Sequence, residues 1–149
     1  MPKQKLTIDR CEEILERAEI GYLGMSKDGQ PYCLPFNFVY TEARIYIHTG
    51  LRGMKWEYIA ENPRVCFTVA LPGSKKTGES PCQYSYEFES VIVTGMAVEV
   101  NDSTETADSL NRLIDKYREA PVLQVPEDTL TKLRMIRIDI EKITGRQNL

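Results

Sequence analysis

The sequence predicts a mainly β protein, in which about six antiparallel strands close into a small barrel with flanking α-helices. Six strand-like runs follow one another through hairpin-sized turns or short helical insertions, unlike the strict βαβ alternation of a doubly wound sheet. Six strands must close or cover their edges, and closure needs the least extra chain. A length of 149 residues suits a single domain, 1–149, and can bury a core without disulfides or metal.

The helices are predicted from capping residues and from apolar residues at helical spacing. Thr7 or Asp9 can cap the first helix, Asn62-Pro63 ends the second, and Asp102 with Glu105 has the spacing of a capping box at the third. The predicted helices span 8–18, 54–61 and 102–117, with one or two further turns over 126–132.

The strands are predicted from apolar runs bounded by turn residues. The turns at 27–30 and 41–43 are short enough for antiparallel hairpins. Gly95 requires the long region 84–100 to bend or break, and the glycines and prolines of 72–82 predict a loop. The predicted strands span 20–26, 32–40, 44–49, 64–71, 84–100 and 135–143.

The composition excludes several function classes. Nineteen Lys and Arg residues against 22 Asp and Glu give a net charge of −3, whereas dedicated nucleic-acid binders carry a basic surplus. No apolar run reaches the ~20 residues of a membrane span, and the first residues lack a signal-peptide core. We therefore expect a cytoplasmic protein without nucleic-acid or membrane partners.

The four cysteines predict neither a metal site nor export. They form no CxxC pair and accompany a single histidine, whereas zinc ligands usually come in close pairs. Cys33 and Cys66 stand in apolar runs and are expected to be buried, reduced thiols.

The segment Cys33-Leu34-Pro35-Phe36-Asn37 is unusual within a strand. Pro35 has no N–H for a sheet ladder, so it must lie at an edge, at a bulge, or against a ligand that replaces a neighbouring strand. A protected edge strand and a ligand-binding strand are both open at this point.

The segment 48–55, His-Thr-Gly-Leu-Arg-Gly-Met-Lys, stands where a strand ends and a helix begins. Helix N-termini carry unpaired N–H groups and a partial positive charge, and Arg52 or Lys55 adds a full charge. With the Thr49 hydroxyl and two glycines, these residues are typical of a phosphate cradle, or else of ordinary strand-to-helix punctuation. No Walker motif is present, which disfavours a nucleoside triphosphatase. His48 is either a hydrogen-bonded structural residue or a catalytic one.

Four segments, in this order, resemble the pyridoxamine 5′-phosphate oxidase-like superfamily, and within it the flavoproteins related to nitroimidazole-resistance (Nim) reductases. They run GYLGMSKDGQPYCLPFNFVY, RIYIHTGLRGMKWEYIAENPRVCFTV, YEFESVIVTGMAVEV and IRIDIEKITGR. The resemblance implies a six-stranded split β-barrel that binds FMN at the interface of a homodimer. It places residues 32–37 along the isoalloxazine ring.

The resemblance also assigns individual residues to FMN. His48 and Thr49 match the pair on the ribityl-phosphate side, Lys55 matches a phosphate-binding lysine, and Ser90 matches a cofactor contact of the oxidases. Gly53-Met54 stands where the family has a further basic residue, which leaves Arg52 as the substitute. The complete implied FMN-binding set is Cys33, Leu34, Pro35, Phe36, Asn37, Ile47, His48, Thr49, Arg52, Met54, Lys55 and Ser90.

The function that the resemblance implies is an FMN-dependent oxidoreductase, a reductase of small organic substrates such as nitroaromatics or quinones. The chain ends without the Arg-Leu-x-Pro-like segment that holds pyridoxamine phosphate, so oxidation of that substrate is not expected. His48 is the candidate proton donor. The alternatives are a non-catalytic flavin or haem carrier or sensor, and a dimeric scaffold whose site has decayed.

Overall fold

The computed structural model of the chain describes residues 4–119 and 127–148, which form eight strands and three α-helices. The strands are β1 (Gln4–Lys5), β2 (Gly21–Lys27), β3 (Gln30–Phe36), β4 (Val39–Thr41), β5 (Arg44–Thr49), β6 (Arg64–Lys76), β7 (Ser85–Glu99) and β8 (Arg134–Asn148). The helices are α1 (Ile8–Arg17), α2 (Met54–Glu61) and α3 (Ser103–Tyr117).

The helices begin and end close to where their capping residues predict. The Thr7 hydroxyl accepts a hydrogen bond from the Arg10 N–H at the start of α1, and the Asp102 carboxylate accepts one from Thr104 at the start of α3. α2 ends at the residue before Asn62-Pro63. Part of the turn predicted over 126–132 lies outside the described residues, and Glu127–Thr131 is a 3-10 turn.

The strands form one antiparallel sheet in the order β3-β2-β6-β7-β8-β5-β4, with β1 added beside β8. The sheet curls, because residues from both of its ends, such as Leu23 on β2 and Ile45 on β5, lie in one buried cluster with α1. Phe38 and Phe67 meet edge-to-face at the centre of that cluster, with ring centroids 4.8 Å apart. The antiparallel split-barrel fold is confirmed, whereas the closure argued from six strands is wrong, because the β3 and β4 ends of the sheet do not pair with each other.

Two differences raise the strand number from the predicted six to eight. The run predicted over 32–40 is interrupted after Phe36 and becomes β3 and β4, because the chain must cross from one end of the sheet to the other. β1 is a two-residue strand, too short to leave a periodic pattern. β6 also extends to Lys76 through an irregularity between Pro72 and Lys75, where the sequence predicts a loop.

One face of the sheet is left exposed over β3, β2, β6 and β7, and we call it the uncovered face. Its central row of Cα partners is Pro35, Tyr22, Thr68 and Ile92, and the next row is Cys33, Gly24, Cys66 and Thr94. Tyr22 and Ile92 are each 49% exposed, whereas α3 covers the outer side of β4, β5 and β8 through a second apolar cluster.

The expectation that Cys33 and Cys66 are buried is wrong: both are exposed on the uncovered face. Strand side chains alternate between the two faces, and Val65 and Phe67 point into the core, which turns Cys66 outward. Among the residues described, no helix has the length and apolar character needed to cross a membrane.

Candidate functional site

The two sequence segments predicted to form the site lie at the two open edges of the curled sheet. Among the described strands, β3 pairs with β2 alone. β4 pairs with β5 only as far as Tyr46, so residues 47–49 pair with β8 on one side and leave the other side open. An open strand edge presents backbone N–H and C=O groups. The split between these edges is therefore lined by unpaired polar backbone.

β3 contributes one polar edge and two contrasting faces. Leu34 and Phe36 pack against the main core, whereas Cys33, Pro35 and Asn37 are exposed. Pro35 lies on an edge strand, where its missing N–H costs no ladder bond. A protected edge and a ligand-binding edge both satisfy this geometry.

Helix α2 connects the two sides of the split. Its chain follows β5 directly, and its Tyr58 ring stacks on the Tyr32 ring of β3, with centroids 5.1 Å apart. Glu61 of α2 pairs with Lys27 at the end of β2 over 3.4 Å. The N-terminus of α2 is thus held near the β5 edge while the rest of the helix reaches the β3 side.

At the end of β5, His48 carries a buried polar atom without a partner. Its Nδ1 has no hydrogen-bond partner among the described residues, and burial lowers the pKa of the imidazole, which favours the neutral ring. Buried polar atoms in native proteins are almost always hydrogen-bonded. The neighbouring Ile47 side chain lies fully in the core, so this residue can offer only its backbone to a ligand.

The loop over residues 50–53, which we call the cradle loop, has every carbonyl bound by a donor from the protein. The hydrogen bonds run from Trp56 Nε1 to Gly50 O (3.2 Å), from Arg134 Nη1 to Leu51 O (3.1 Å), from Lys55 Nζ to Arg52 O (3.0 Å) and from Trp56 N to Gly53 O (3.3 Å). Four carbonyls in succession are therefore directed at the protein.

The amide N–H groups of residues 51–53, in contrast, donate to no described residue, and these residues are exposed. A trans peptide directs its N–H opposite to its C=O, so the carbonyl contacts leave these N–H groups directed outward. Successive outward N–H groups at a helix N-terminus bind anions. The cradle loop therefore has the geometry of an anion site.

Lys55 strengthens the positive potential at the cradle loop. The residue is only 9% exposed, and its ammonium reaches the Arg52 carbonyl but no carboxylate among the described residues. A buried ammonium without a counter-charge is costly, and an anionic ligand would offset that cost. Gly53 has a φ of 137°, a backbone conformation that residues with a Cβ rarely adopt, so this position favours glycine.

The other predicted residues occupy different surroundings. Thr49 ends β5 opposite Arg134, and Arg52 and Met54 are exposed on and beside the cradle loop. Ser90 lies on β7, which two strands separate from β3, so one chain does not bring it to the split. Ser90 is instead the Cα partner of Arg146, beside a cavity of about 520 Å³ lined by Lys5, Lys142, Thr144, Gly145 and Arg146.

Sequence reasoning missed Trp56, Glu99 and Arg134 as residues that shape the site. Trp56 is close to Lys55 in sequence, and as the single tryptophan of the chain it could have been singled out. Glu99 and Arg134 end and begin strands far along the chain, and no local pattern connects them to residues 50–53.

Two further cavities lie away from the cradle loop. One of about 800 Å³ lies between α3 and the β4–β5 hairpin, where Glu105 is bound by Tyr46 and Arg137. The other, of about 500 Å³, is a groove in the uncovered face lined by Cys33 and Cys66. Of the predicted site residues, Cys33 is the one in these two linings.

Comparisons with known proteins place the chain among proteins of the same fold. A family model described as pyridoxamine 5′-phosphate oxidase matches residues 7–147. A candidate 5-nitroimidazole antibiotic resistance protein from Bacteroides thetaiotaomicron superposes with a TM-score of 0.82 at 24% identity, over 99% of this chain and 89% of that one. An FAD-binding protein from Mesorhizobium loti superposes with a TM-score of 0.72 at 26% identity, over all of both chains.

Two further relatives are more distant. A protein from Mycobacterium smegmatis described as binding FAD and heme gives a TM-score of 0.85 at 16% identity, over 99% of this chain and 74% of that one. An uncharacterized protein from Rhizobium meliloti is 24% identical over 87 residues, 58% of this chain. That match spans 50% of the length of the Rhizobium protein.

Proposed function

The chain belongs to the pyridoxamine 5′-phosphate oxidase family, as its four sequence segments predict, and we propose that it is a flavoprotein that binds FMN in the split between β3 and β5. The observation that carries the proposal is the cradle loop, in which the carbonyls of residues 50–53 bond to the protein and the N–H groups of residues 51–53 point outward. The phosphate of FMN is the anion that this loop would hold.

The residues present fit such a cofactor. Lys55 supplies a buried positive charge for the phosphate. At the end of β5, the unpartnered Nδ1 of His48 is available for a hydrogen bond to the cofactor. The open edges of β3 and of residues 47–49 would meet the polar parts of the ring and the ribityl chain. A bound flavin supplies hydride and electron transfer, and the protein supplies position and electrostatics.

For catalysis we propose reduction of small organic substrates of the nitroaromatic or quinone type. His48 is the residue assigned to proton handling, because it stands two residues before the cradle loop and burial lowers the pKa of its imidazole, which favours the neutral ring. A neutral imidazole can accept a proton at one nitrogen and donate from the other.

We further propose that the active form is a homodimer with the flavin at the interface. The uncovered face exposes Tyr22, Ile92 and two cysteines, which is apolar surface of the kind that a partner covers. In a two-fold interface the β7 end of this face in one subunit would oppose the β3 end in the other. Ser90 of one subunit would then reach the cofactor bound at β3 of the other subunit, although it cannot reach the cofactor of its own chain.

The first experiment is the visible absorption spectrum of the purified protein, followed by titration with FMN, FAD and riboflavin. FAD is included because the Mesorhizobium loti protein is described as binding it. We expect the protein to bind FMN. The Lys55→Gln substitution should weaken FMN binding by about tenfold to a hundredfold, which corresponds to the loss of a hydrogen bond to a charged group, and should change riboflavin binding little.

The matched control is Lys132→Gln, which removes an exposed lysine that pairs with Asp128 across one turn. It should leave FMN affinity unchanged. A colourless protein that ignores all three flavins contradicts the proposal. Preference for FAD over FMN would keep the flavin site and change the cofactor.

Turnover is tested anaerobically with the flavin-loaded protein, nicotinamide donors, and nitroaromatic or quinone acceptors. We expect the flavin to be reduced and then reoxidised by the acceptor, and His48→Gln to slow the cycle at unchanged flavin content. A bound flavin that neither nicotinamide donor reduces would instead identify a binding or sensor module.

A further inference from the structure

We propose that Arg134 is a positioning residue of the phosphate site: it holds the cradle loop in its anion-binding shape and does not itself touch the phosphate. The inference rests on the proposed function in that it names the phosphate of FMN as the anion. It adds a residue that neither the sequence motifs nor the resemblance assign, located 83 positions from the carbonyl that it holds.

The contacts of Arg134 direct its guanidinium at the protein. Nε and Nη2 donate to the two carboxylate oxygens of Glu99 over 2.8 and 2.6 Å, and Nη1 donates to the Leu51 carbonyl over 3.1 Å. The guanidinium carbon lies 3.6 Å from the centre of the Trp56 ring. All three nitrogens and one face are thus engaged, and a two-point fork to a carboxylate is a rigid arrangement.

These contacts fix the cradle loop from two sides. Trp56, stacked on Arg134, donates its Nε1–H to the Gly50 carbonyl. Arg134 donates to the next carbonyl along the chain, that of Leu51. Turning either carbonyl would turn the N–H of the same peptide away from the anion. Arg134 begins β8 as the Cα partner of Thr49, so the sheet itself anchors the clamp.

Substitution of Glu99 distinguishes the two possible roles of Arg134, because FMN affinity would change in opposite directions. The hydrogen bonds from Arg134 hold the pKa of Glu99 below its ordinary value, so the pair is charged at neutral pH. If Arg134 positions the loop, Glu99→Gln loosens the clamp and weakens FMN. If Arg134 binds phosphate directly, Glu99→Gln frees the guanidinium, removes a nearby negative charge and strengthens FMN.

The experiment measures the ratio of riboflavin to FMN dissociation constants, because only FMN carries the phosphate. We expect Arg134→Gln, Arg134→Lys and Glu99→Gln each to lower this ratio by about tenfold, chiefly through weaker FMN binding. Lysine keeps the charge but cannot form the fork or the flat stack, so its charge should not rescue the ratio.

Arg137→Gln is the matched control. Arg137 lies on the same strand and also forks to a carboxylate, but it binds Asp139 and Glu105 and has no contact with the cradle loop. It should leave the ratio unchanged. Circular dichroism identifies any variant that fails to fold. The test then uses those of Arg134→Gln, Arg134→Lys and Glu99→Gln that are folded.

The outcomes of the proposed function and of this inference are separable. FMN binding with an unchanged ratio in Arg134→Gln and Glu99→Gln, or a raised ratio in Glu99→Gln, overturns the inference and leaves the proposed function in place. If the unsubstituted protein binds neither flavin, the proposed function fails. Inorganic phosphate titrated against the fluorescence of Trp56, the single tryptophan, then decides the inference. A response that Arg134→Gln abolishes supports it, and an absent or unaltered response overturns it.

Discussion

At the scale of single residues, the half-buried Lys116 holds the segment between β3 and β4 in place. Lys116 on α3 donates to the carbonyls of Ala18 and Phe38 over 2.6 and 3.0 Å, and its ammonium lies 3.7 Å from the centre of the Phe38 ring. Tyr117 bonds the same Phe38. These contacts hold the segment that leaves β3 and crosses the molecule to β4.

Burial lowers the pKa of Lys116 to about 8, with Glu19 opposing the shift. An unfolded lysine titrates near 10.4, so between pH 8 and that value the unfolded chain binds more protons than the folded one. The contribution of Lys116 to stability therefore rises with pH across this window.

We expect the free energy of unfolding to rise between pH 7.5 and 9.5 by on the order of 1 kcal/mol more in the unsubstituted protein than in Lys116→Met, after discounting for solvent screening. Urea unfolding at the two pH values measures this. Loss of the Lys116 contacts alone would lower the free energy of unfolding of the variant by the same amount at both pH values. An equal change with pH in the two proteins would therefore contradict the prediction.

At the scale of the elements, one irregularity shapes the two longest strands. The register between β7 and β8 shifts between Thr94 and Gly95, where β8 accommodates an additional residue. A Cβ at Gly95 would meet the backbone oxygen of Asp139, so the close approach of the two strands depends on glycine. A bulge bends the strand that carries the additional residue, so this irregularity lets β8 follow the curled sheet.

Gly95→Ala is therefore expected to lower the free energy of unfolding by about 1–3 kcal/mol, the usual cost of overpacking. Thr94→Ala at the exposed neighbouring position should change it by less than about 0.5 kcal/mol. Urea denaturation of both variants provides the comparison, and equal midpoints for Gly95→Ala and the unsubstituted protein would contradict the role of the bulge.

At the scale of the whole molecule, the uncovered face reaches one of the two open edges, the edge of β3. Pro35 of β3 begins the row that continues through Tyr22 and Thr68 to Ile92. A partner that covered this row would also approach the β3 edge of the split. The proposed dimer and the proposed flavin site are therefore coupled, and disruption of one should weaken the other.

Ile92→Lys places a charge in the middle of the uncovered face. We expect it to convert a dimer into a monomer in sedimentation experiments and to weaken FMN binding at least about tenfold, with the fold intact because the side chain is exposed. Ile8→Lys, at a residue 53% exposed on α1, is the control and should remain dimeric. A dimer that survives Ile92→Lys would show that another face forms the interface.

Much of the fold was predictable because its signals are local. The bounds of α2 match the prediction of 54–61, since a glycine before it and Asn62-Pro63 after it define a helix within a dozen residues. The β2–β3 hairpin turns at Asp28-Gly29, both with positive φ, as such short loops require. The region predicted over 84–100 is one unbroken strand, β7, and the irregularity expected near Gly95 takes the form of a register shift against β8.

The exposure of Cys33 and Cys66 was not predictable from their apolar neighbours. A run of apolar residues indicates a strand, but which alternate side chains point inward depends on what the strand packs against. Here the face that carries both thiols meets no core within the described chain.

The sequence by itself determined the family, the antiparallel split-barrel class and the candidate anion loop, because family motifs, turns, caps and helix starts act over a few consecutive residues. Only the tertiary structure decided that Arg134 and Glu99 clamp that loop, that Ser90 lies across the sheet from β3, and that His48 carries an unpartnered nitrogen. These facts depend on strand order and register, which join residues far apart in the chain, and no local pattern encodes such a pairing.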